Sequence, residues 1–356
     1  MSARERVLRT FAREKTDRVT IGYETNDAVH RRFAAALGLP PGADIHAVGD
    51  AIGVDYRKIW PEYTGPQLFK APPGRIINPE EGCVMRWVEN PSGGYWDYCD
   101  FPLIDADEEQ IAAFPIPNPD DFDYETAGDM LKALNGRLAT YIGGTGVPDV
   151  INSNSRIMGM EDMLCHLILE NEAALAFINR RADFQLGMME RLLEKCKGYL
   201  DFVWYGEDLG TQIAPIINPV LYRKLMKPIH KKFAGLADAY GLPTLMHSCG
   251  CSSWAYEDFI EIGIKGVDSI QPEIESMSPR YLMEHFGGKL NFRGLISTGH
   301  ELAFGTPDDV RRVCKETIEI MNAKGGYHFG PSQAIQDNSP AENVIAMYQA
   351  AHDAGV

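Results

Sequence analysis

Nowhere does the sequence contain the roughly 20 consecutive apolar residues that a membrane-spanning helix requires. Its opening stretch, MSARERVLRTFAREKTDR, is charged and lacks the apolar core of a secretory signal. Basic residues are also in short supply, with 34 Lys and Arg against 50 Asp and Glu and a net charge of −16. This charge disfavours attraction to nucleic-acid phosphates and to anionic lipid. We therefore expect a cytoplasmic protein with neither a nucleic-acid nor a membrane partner.

The cysteines do not resemble a disulfide framework, because their number is odd and most of them are far apart. The seven are Cys83, Cys99, Cys165, Cys196, Cys249, Cys251 and Cys314. Hydrophobic residues make up 45% and charged residues 24% of the chain, which is typical of a globular protein with a large core. The composition thus indicates a chain that folds in a reducing compartment without cross-links.

Short apolar runs alternate with helical stretches over most of the chain. The runs are residues 18–24, 51–60, 138–143, 202–205, 243–247, 266–270, 290–295 and 327–330. Apolar residues at helical spacing lie between most of them, for example in 161–193, 221–240, 279–286 and 308–323. Such alternation implies parallel strands with right-handed crossovers, and eight units close into a (β/α)8 barrel. An open doubly wound sheet is the alternative, because periodicity does not show closure.

Residues 61–119 interrupt this alternation with frequent Pro and Gly. Two β-like runs, 83–88 and 95–101, flank the turn-forming residues 90–94, so we expect a β-hairpin inserted into one barrel domain that spans 1–356. Tyr95, Trp96 and Tyr98 in this hairpin either wall a pocket for a flat ligand or are ordinary strand residues.

Polar and titratable side chains follow the ends of the predicted strands. Catalytic residues of such barrels lie at the carboxyl ends of the strands, so these residues are the candidates for chemistry. They are Glu24 after the first run, Glu207 and Asp208 after the fourth, His247 and Cys249 after the fifth, His300 after the seventh and Gln333 after the eighth.

His247 and Cys249 are the most specific pair among these candidates. Side chains alternate across a strand, so positions two apart project to the same side. An imidazole and a thiolate can then bind one ion, and Zn²⁺ accepts both donors. Glu207 is our first choice for a third ligand, followed by Asp208 and Gln333, and Gly250 also lets Cys251 turn back. The alternative is that Cys249 is a small apolar filler of the core.

Several short segments together resemble the uroporphyrinogen decarboxylase superfamily, in its branch of cobalamin-linked methyltransferases and O-demethylase components. They are RERVL at 4–8, DRV at 17–19, GEDLGTQ at 206–212, HSCG at 247–250, GVD at 266–268, FGTP at 304–307, GGY at 325–327, and Pro340 with ENVIAM at 342–347. The resemblance implies a (β/α)8 barrel, in agreement with the count of strands.

Two departures from the family pattern favour the methyltransferase branch. The decarboxylases carry an arginine-rich segment that grips the substrate propionates, whereas residues 22–27 here read GYETND. The methyltransferases carry a zinc site made of His-x-Cys and a later Cys. His247 and Cys249 match the first part, but Gln333 stands where the later Cys is expected. The resemblance therefore implies a zinc site that Glu207 or Gln333 completes.

The function that this resemblance implies is methyl transfer from a small methylated donor, favoured as an aryl methyl ether, to the cobalt of a separate corrinoid protein. Zinc would withdraw charge from the ether oxygen, and His300 or Glu24 would protonate the phenolate. One alternative is transfer from the methylated corrinoid to a thiol or to tetrahydrofolate. Another is a metal-free decarboxylase of the uroporphyrinogen decarboxylase type that acts on a smaller acid, in which Asp208 or Glu207 positions the protonated carbanion. A third is a non-catalytic corrinoid- or tetrapyrrole-binding module. A homodimer is one option for the assembly.

Overall fold

A computed structural model describes residues 1–91, 94–134 and 136–355. In this part of the chain the strands are β1 (Thr20–Ile21), β2 (Tyr56–Lys58), β3 (Glu62–Tyr63), β4 (Ile76–Ile77), β5 (Val84–Val88), β6 (Tyr95–Tyr98), β7 (Phe122–Asp123), β8 (Ala139–Pro148), β9 (Phe202–Gly206), β10 (Thr244–His247), β11 (Gly266–Ile270), β12 (Asn291–Ile296) and β13 (Tyr327–Pro331).

The helices of the described residues follow most of these strands. They are α1 (Ala3–Phe11), α2 (Asp27–Ala36), α3 (Ile45–Ile52), α4 (Glu108–Ala113), α5 (Tyr124–Leu134), α6 (Val150–Met158), α7 (Met160–Ile168), α8 (Glu172–Lys195), α9 (Pro219–Leu225), α10 (Lys227–Ala239), α11 (Tyr256–Ile262), α12 (Pro279–His285), α13 (Glu301–Phe304), α14 (Pro307–Met321) and α15 (Ala341–Asp353). No helix in the described part of the chain combines the length and the apolar character needed to cross a bilayer.

Eight parallel strands form one sheet in the order β1, β13, β12, β11, β10, β9, β8, β2. The two end strands also meet, because the backbone N–H of Asp55, just before β2, donates to the carbonyl of Ile21 in β1 at 2.9 Å. The backbone N–H of Ile21 in turn donates to Asp55 Oδ2 at 2.7 Å. The sheet therefore closes on itself, which confirms the predicted barrel and excludes the open doubly wound sheet.

Large side chains fill the interior of the barrel, so it is a packed core rather than a pore. Tyr56, Phe202, Trp204 and Leu245 point inward from the strands and pack on Phe11 of α1. Because α1 also packs against β1, β2, β8 and β13, it covers the amino-terminal end of the barrel. The carboxyl-terminal end of the barrel is left for the functional loops.

The inserted region contains the predicted hairpin, extended by a third strand. β5 pairs antiparallel with β6, with Trp87 opposite Trp96, and β4 pairs with the other edge of β5. Ser92 and Gly93 of the predicted turn lie outside the described residues. The hairpin joins the barrel through Tyr98, whose ring lies 4.7 Å from the guanidinium of Arg156 in α6.

Several predicted boundaries are wrong. Residues 51–52 belong to α3, which begins at the Asp44 cap and ends at Gly53 with a φ of 73°, so the second strand covers only β2. The predicted helix 161–193 is two helices, α7 and α8, separated near Glu170, whose φ is 52°. The predicted helix 221–240 also divides into α9 and α10, because Pro228 near the start of α10 cannot donate a backbone hydrogen bond to the preceding turn.

Candidate metal centre and its cavity

The loops after β9 and β10 bring three potential metal ligands together. His247 Nε2 lies 3.2 Å from Cys249 Sγ and 3.6 Å from Asp208 Oδ1. The three ligand atoms all lie within 4.8 Å of one another. His247 and Cys249 therefore point to the same side, as their spacing predicts, and Asp208 from the neighbouring strand joins them.

Hydrogen bonds hold the Asp208 carboxylate in this position. Its Oδ1 accepts from the backbone N–H of Cys249 at 2.8 Å, and its Oδ2 accepts from Asn152 Nδ2 at 2.8 Å. The first bond ties the carboxylate to the His-x-Cys loop, and the second ties it to α6. Asp208 is thus oriented toward His247 by partners on two separate elements.

A close backbone approach sets the path of the loop after Cys249. Gly250 has a φ of 70°, and a Cβ added there would lie 2.4 Å from the carbonyl oxygen of Gly210. A Cβ on Gly210 would likewise lie 2.3 Å from the backbone nitrogen of Cys251. Only glycine fits at both positions, so this pair lets the loops after β9 and β10 lie against each other.

A buried chain of charges orients His247. Its Nδ1 lies 3.0 Å from Asp268 Oδ2, and Asp268 Oδ1 accepts from Arg293 Nη1 at 2.6 Å. A proton on Nδ1 that faces Asp268 leaves Nε2 to face Cys249 and Asp208. Burial lowers the pKa of His247, but the charges of Cys249 and Asp268 outweigh burial and raise it well above its ordinary value. Burial raises the pKa of Asp268, yet Arg293 and His247 bring it below its ordinary value.

Gln333 also reaches this cluster, whereas Cys251 does not join it. Gln333 Nε2 lies 2.7 Å from Cys249 Sγ, so the residue that replaces the later cysteine occupies the expected neighbourhood. The thiol of Cys251 instead lies 3.5 Å from the hydroxyl of Ser276. Asp208 and Gln333 are therefore the residues beside the His-x-Cys pair.

Glu207, our first choice for a third ligand, lies apart from the cluster. Asp208 lies beside His247 and Cys249 instead. Adjacent residues of an extended strand end point to opposite sides, and the fully buried Glu207 carboxylate meets the start of α6. It accepts from the backbone N–H groups of Val150 at 2.6 Å and Ile151 at 3.0 Å, and lies 3.1 Å from His230 Nε2. Burial raises the pKa of Glu207 to about 8 and lowers that of His230 to about 3, so both tend to be neutral.

A cavity of about 740 Å³ opens beside the cluster. His247, Cys249, Asp208 and Gln333 line it, and so does Glu24. The predicted acid His300 does not, because it lies exposed at the start of α13. The aromatic and charged side chains among the remaining lining residues are Tyr23, Tyr141, Trp204, Asp149, Lys58 and Arg156.

Asp149 was not foreseen as a site residue. It caps α6 and is 2% exposed, and burial, reinforced by the nearby Glu207 carboxylate, raises its pKa well above the ordinary value. Its surroundings therefore favour the protonated form of Asp149. The strand before it extends to Pro148, five residues beyond the predicted end at 143, so sequence periodicity placed Asp149 away from the rim. The sequence signal that could have indicated Asp149 is its place at the start of a helix. Asp is a preferred capping residue there, because its carboxylate can accept from the backbone N–H three residues later, here that of Asn152.

Comparison with known proteins gives a family and a fold. Residues 101–354 match the family described as Uroporphyrinogen decarboxylase (URO-D). Among the matching solved structures is a methyltransferase from Methanosarcina mazei, with a TM-score of 0.70 and 16% sequence identity over 99% of each chain. At this identity the likeness shows a shared fold and no more. No curated protein sequence matches the chain.

Proposed function

Because the chain belongs to the uroporphyrinogen decarboxylase family, we propose that it is a zinc-dependent methyltransferase that acts with a separate corrinoid protein. It would move a methyl group from a small donor, favoured as an aryl methyl ether, to the corrinoid cobalt. The observation that carries the proposal is the grouping of His247, Cys249 and Asp208 in the wall of the cavity. The structural relative that is named a methyltransferase supports it. A cytoplasmic location is part of the same proposal.

The residues present fit a zinc ion. Zinc accepts nitrogen, sulfur and oxygen donors, and tetrahedral ligands about 2.0–2.3 Å from the ion are roughly 3.3–3.8 Å from each other. The separations of His247 Nε2 from Cys249 Sγ and Asp208 Oδ1, 3.2 and 3.6 Å, are close to this range. His247, Cys249 and Asp208 would hold the ion, with Gln333 beside the remaining position. When bound, zinc would act as a Lewis acid at the oxygen that loses the methyl group.

The chain's own residues orient these ligands and enclose the donor. Asp268 holds the imidazole of His247, and Asn152 holds the carboxylate of Asp208. Tyr23, Tyr141 and Trp204 contribute aromatic side chains to the cavity wall, and the rings of Tyr141 and Trp204 lie 5.1 Å apart. A cavity of this size, with aromatic side chains in its wall and polar groups to orient a ligand, suits a substituted benzene.

Demethylation of an ether breaks the carbon–oxygen bond and leaves both electrons of that bond on oxygen. The methyl group leaves with the partner's cobalt, which supplies an electron pair, and the oxygen then needs a proton. Asp149 lines the cavity, and its burial favours the protonated form, so we assign it the role of acid in place of His300. Glu24, which also lines the cavity, is the second candidate for this role.

Two other reactions use the same cavity. Transfer in the opposite sense, from a methylated corrinoid to a thiol or to tetrahydrofolate, would need the same ligands. A metal-free decarboxylase would instead use Asp208 to position its substrate, but among the described lining residues the cations are Lys58 and Arg156. Two cations poorly match a substrate with eight carboxylates, and this favours methyl transfer.

The test combines metal analysis with a transfer assay. We expect about one zinc per chain in the purified wild type and in the Cys251→Ala control, and loss of zinc in Cys249→Ala. A reduced corrinoid protein is incubated with enzyme and methoxyaromatics, methylamines, methanol or methyltetrahydrofolate, and methylation is followed by its visible spectrum. Less than about 0.2 zinc per chain in the wild type, or retained transfer in Cys249→Ala, would refute the zinc proposal. No methylation with any donor would favour the decarboxylase.

A further inference from the structure

Arg156 is a half-buried cation without an anionic partner. In the described part of the chain, its guanidinium has one close contact, the ring of Tyr98 at 4.7 Å. Three other arginines with little exposure are ion-paired, since Arg6 and Arg18 bind Asp55 and Arg293 binds Asp268. The buried Arg181 instead donates to the carbonyl of Ser153 and the side chain of Asn154. Asp149 and Glu81 act on Arg156 only from beyond ion-pair distance, so its guanidinium, in the cavity wall, is free to pair with an anion that enters the cavity.

A second cation faces the same cavity. Lys58 Nζ lies 5.0 Å from the ring centroid of Trp60, and among the described residues no carboxylate lies within ion-pair distance of it. It projects from β2, whereas Arg156 projects from α6, so two separate elements direct positive charge into one space. The chain as a whole carries a net charge of −16, and an anion would therefore be repelled from most of its surface.

We infer that Arg156 binds an anionic group, a carboxylate, on the aromatic methyl donor, with Lys58 adding positive charge. Carboxylate recognition by a guanidinium is bidentate and planar, and stacking on Tyr98 leaves the edge of the guanidinium free for it. Arg156 then determines specificity, and the inserted hairpin that carries Tyr98 holds it in place. The inference rests on the proposed function only for the identity of the donor.

The spacing along α6 suits a ring-shaped donor. Asn152 binds Asp208 of the metal cluster, and Arg156 follows four residues later in the same helix. Residues four apart share one face of a helix, with Cβ atoms about 5–6 Å apart. A methoxy group at the cluster and a carboxylate at Arg156 would therefore lie along one face of α6.

Binding measurements test this inference without any catalytic turnover. Isothermal titration calorimetry would compare 4-methoxybenzoate with the neutral 4-methoxybenzamide. The wild type should bind the benzoate at least about tenfold more tightly, because only the benzoate can pair with a guanidinium. In Arg156→Gln, affinity for the benzoate should fall about 10- to 100-fold while affinity for the amide changes less than about threefold. Arg156→Lys should lie between the two proteins.

Arg280→Gln is the matched control, because Arg280 is exposed on α12 and does not line the cavity. It should bind both ligands as the wild type does. Equal affinities of the wild type for the two ligands would overturn the inference even if Arg156→Gln failed to fold. An equal loss of both ligands in a folded Arg156→Gln protein would overturn it too. Selective binding of the benzoate without methyl transfer would instead refute the proposed function and leave the anion site intact.

Discussion

Glu207 and Asp208 are adjacent in the chain, yet their carboxylates lie in different surroundings. Asp208 joins His247 and Cys249 in the cavity wall, whereas Glu207 is buried against the start of α6 and His230. Burial disfavours a charge on Glu207 and raises its pKa to about 8, from an ordinary value of 4.5. Its contribution to stability is therefore greatest below pH 4.5 and is lost as the pH rises toward 8.

Glu207→Gln should keep the zinc and remove this pH dependence. Glutamine is neutral and nearly isosteric with the protonated acid, and its one carbonyl oxygen can still accept from one of the two backbone N–H groups of α6. Between pH 5 and 8, the free energy of unfolding should fall by up to about 1.4 kcal/mol per pH unit more in the wild type than in the variant, as measured by urea denaturation. Cys249→Ala serves as the zinc-deficient reference. Loss of zinc from Glu207→Gln would show that Glu207 is a ligand after all.

These residues also show what local sequence can foretell about the site. His247 and Cys249 were recognised because alternation within one strand puts positions two apart on the same side. The choice between Glu207 and Asp208 depends on where a strand stops being regular, which local patterns do not reveal. Arg156 was missed for a different reason. It lines the cavity because α6 packs against the barrel, and the neighbouring residues in the sequence do not indicate that packing.

At the scale of the elements, the loops after β9 and β10 approach so closely that two glycines are required. Gly250 directly follows the ligand Cys249, and it has the left-handed backbone that a side chain disfavours. A Cβ at Gly250 would meet the carbonyl oxygens of Gly210 and Thr211, which are backbone atoms that cannot rotate away. The position of the thiol therefore depends on the contact between two loops.

Gly250→Ala should weaken zinc binding although it removes no ligand. We expect a 10- to 100-fold loss of affinity, the range typical of changes that misplace ligands, from competition with a chromophoric chelator. Gly299→Ala is the control, because a Cβ on Gly299 meets no atom within 4 Å. Wild-type affinity in Gly250→Ala would mean that the loop adapts and that the close approach is not needed for the site.

The elements themselves were predicted to different degrees. β11 has the predicted bounds, and most other barrel strands differ by a residue or two, because buried parallel strands are continuous apolar runs. The predicted second strand was too long because the apolar end of α3 looks like a continuation of the apolar run of that strand. The divided helices were missed because their apolar spacing continues across the breaks at Glu170 and Met226.

At the scale of the whole molecule, the periodicity of the sequence did not show where the barrel closes. β1 and β2 are the ends of the eight-stranded sheet, and Asp55 joins them through its backbone and its side chain. Its fully buried carboxylate also binds Arg6 at 2.5 Å and Arg18 at 2.7 Å. These arginines come from α1 and from the segment just before β1, so one carboxylate links the amino-terminal cover to both edges of the sheet.

Asp55→Asn separates the role of charge from the role of shape at this point. Asparagine can still accept the hydrogen bond of Ile21, but it removes the carboxylate that Arg18 binds and leaves the buried Arg6 with Asp17 alone as its counter-charge. We therefore expect a loss of about 3–5 kcal/mol in the free energy of unfolding, measured by urea denaturation. Asp308→Asn, which removes an exposed partner of Arg311, should change it by less than about 1 kcal/mol. If Asp55→Asn unfolded at the wild-type urea concentration, hydrogen bonding alone would close the barrel, and the charges of Arg6 and Arg18 would have no structural role there.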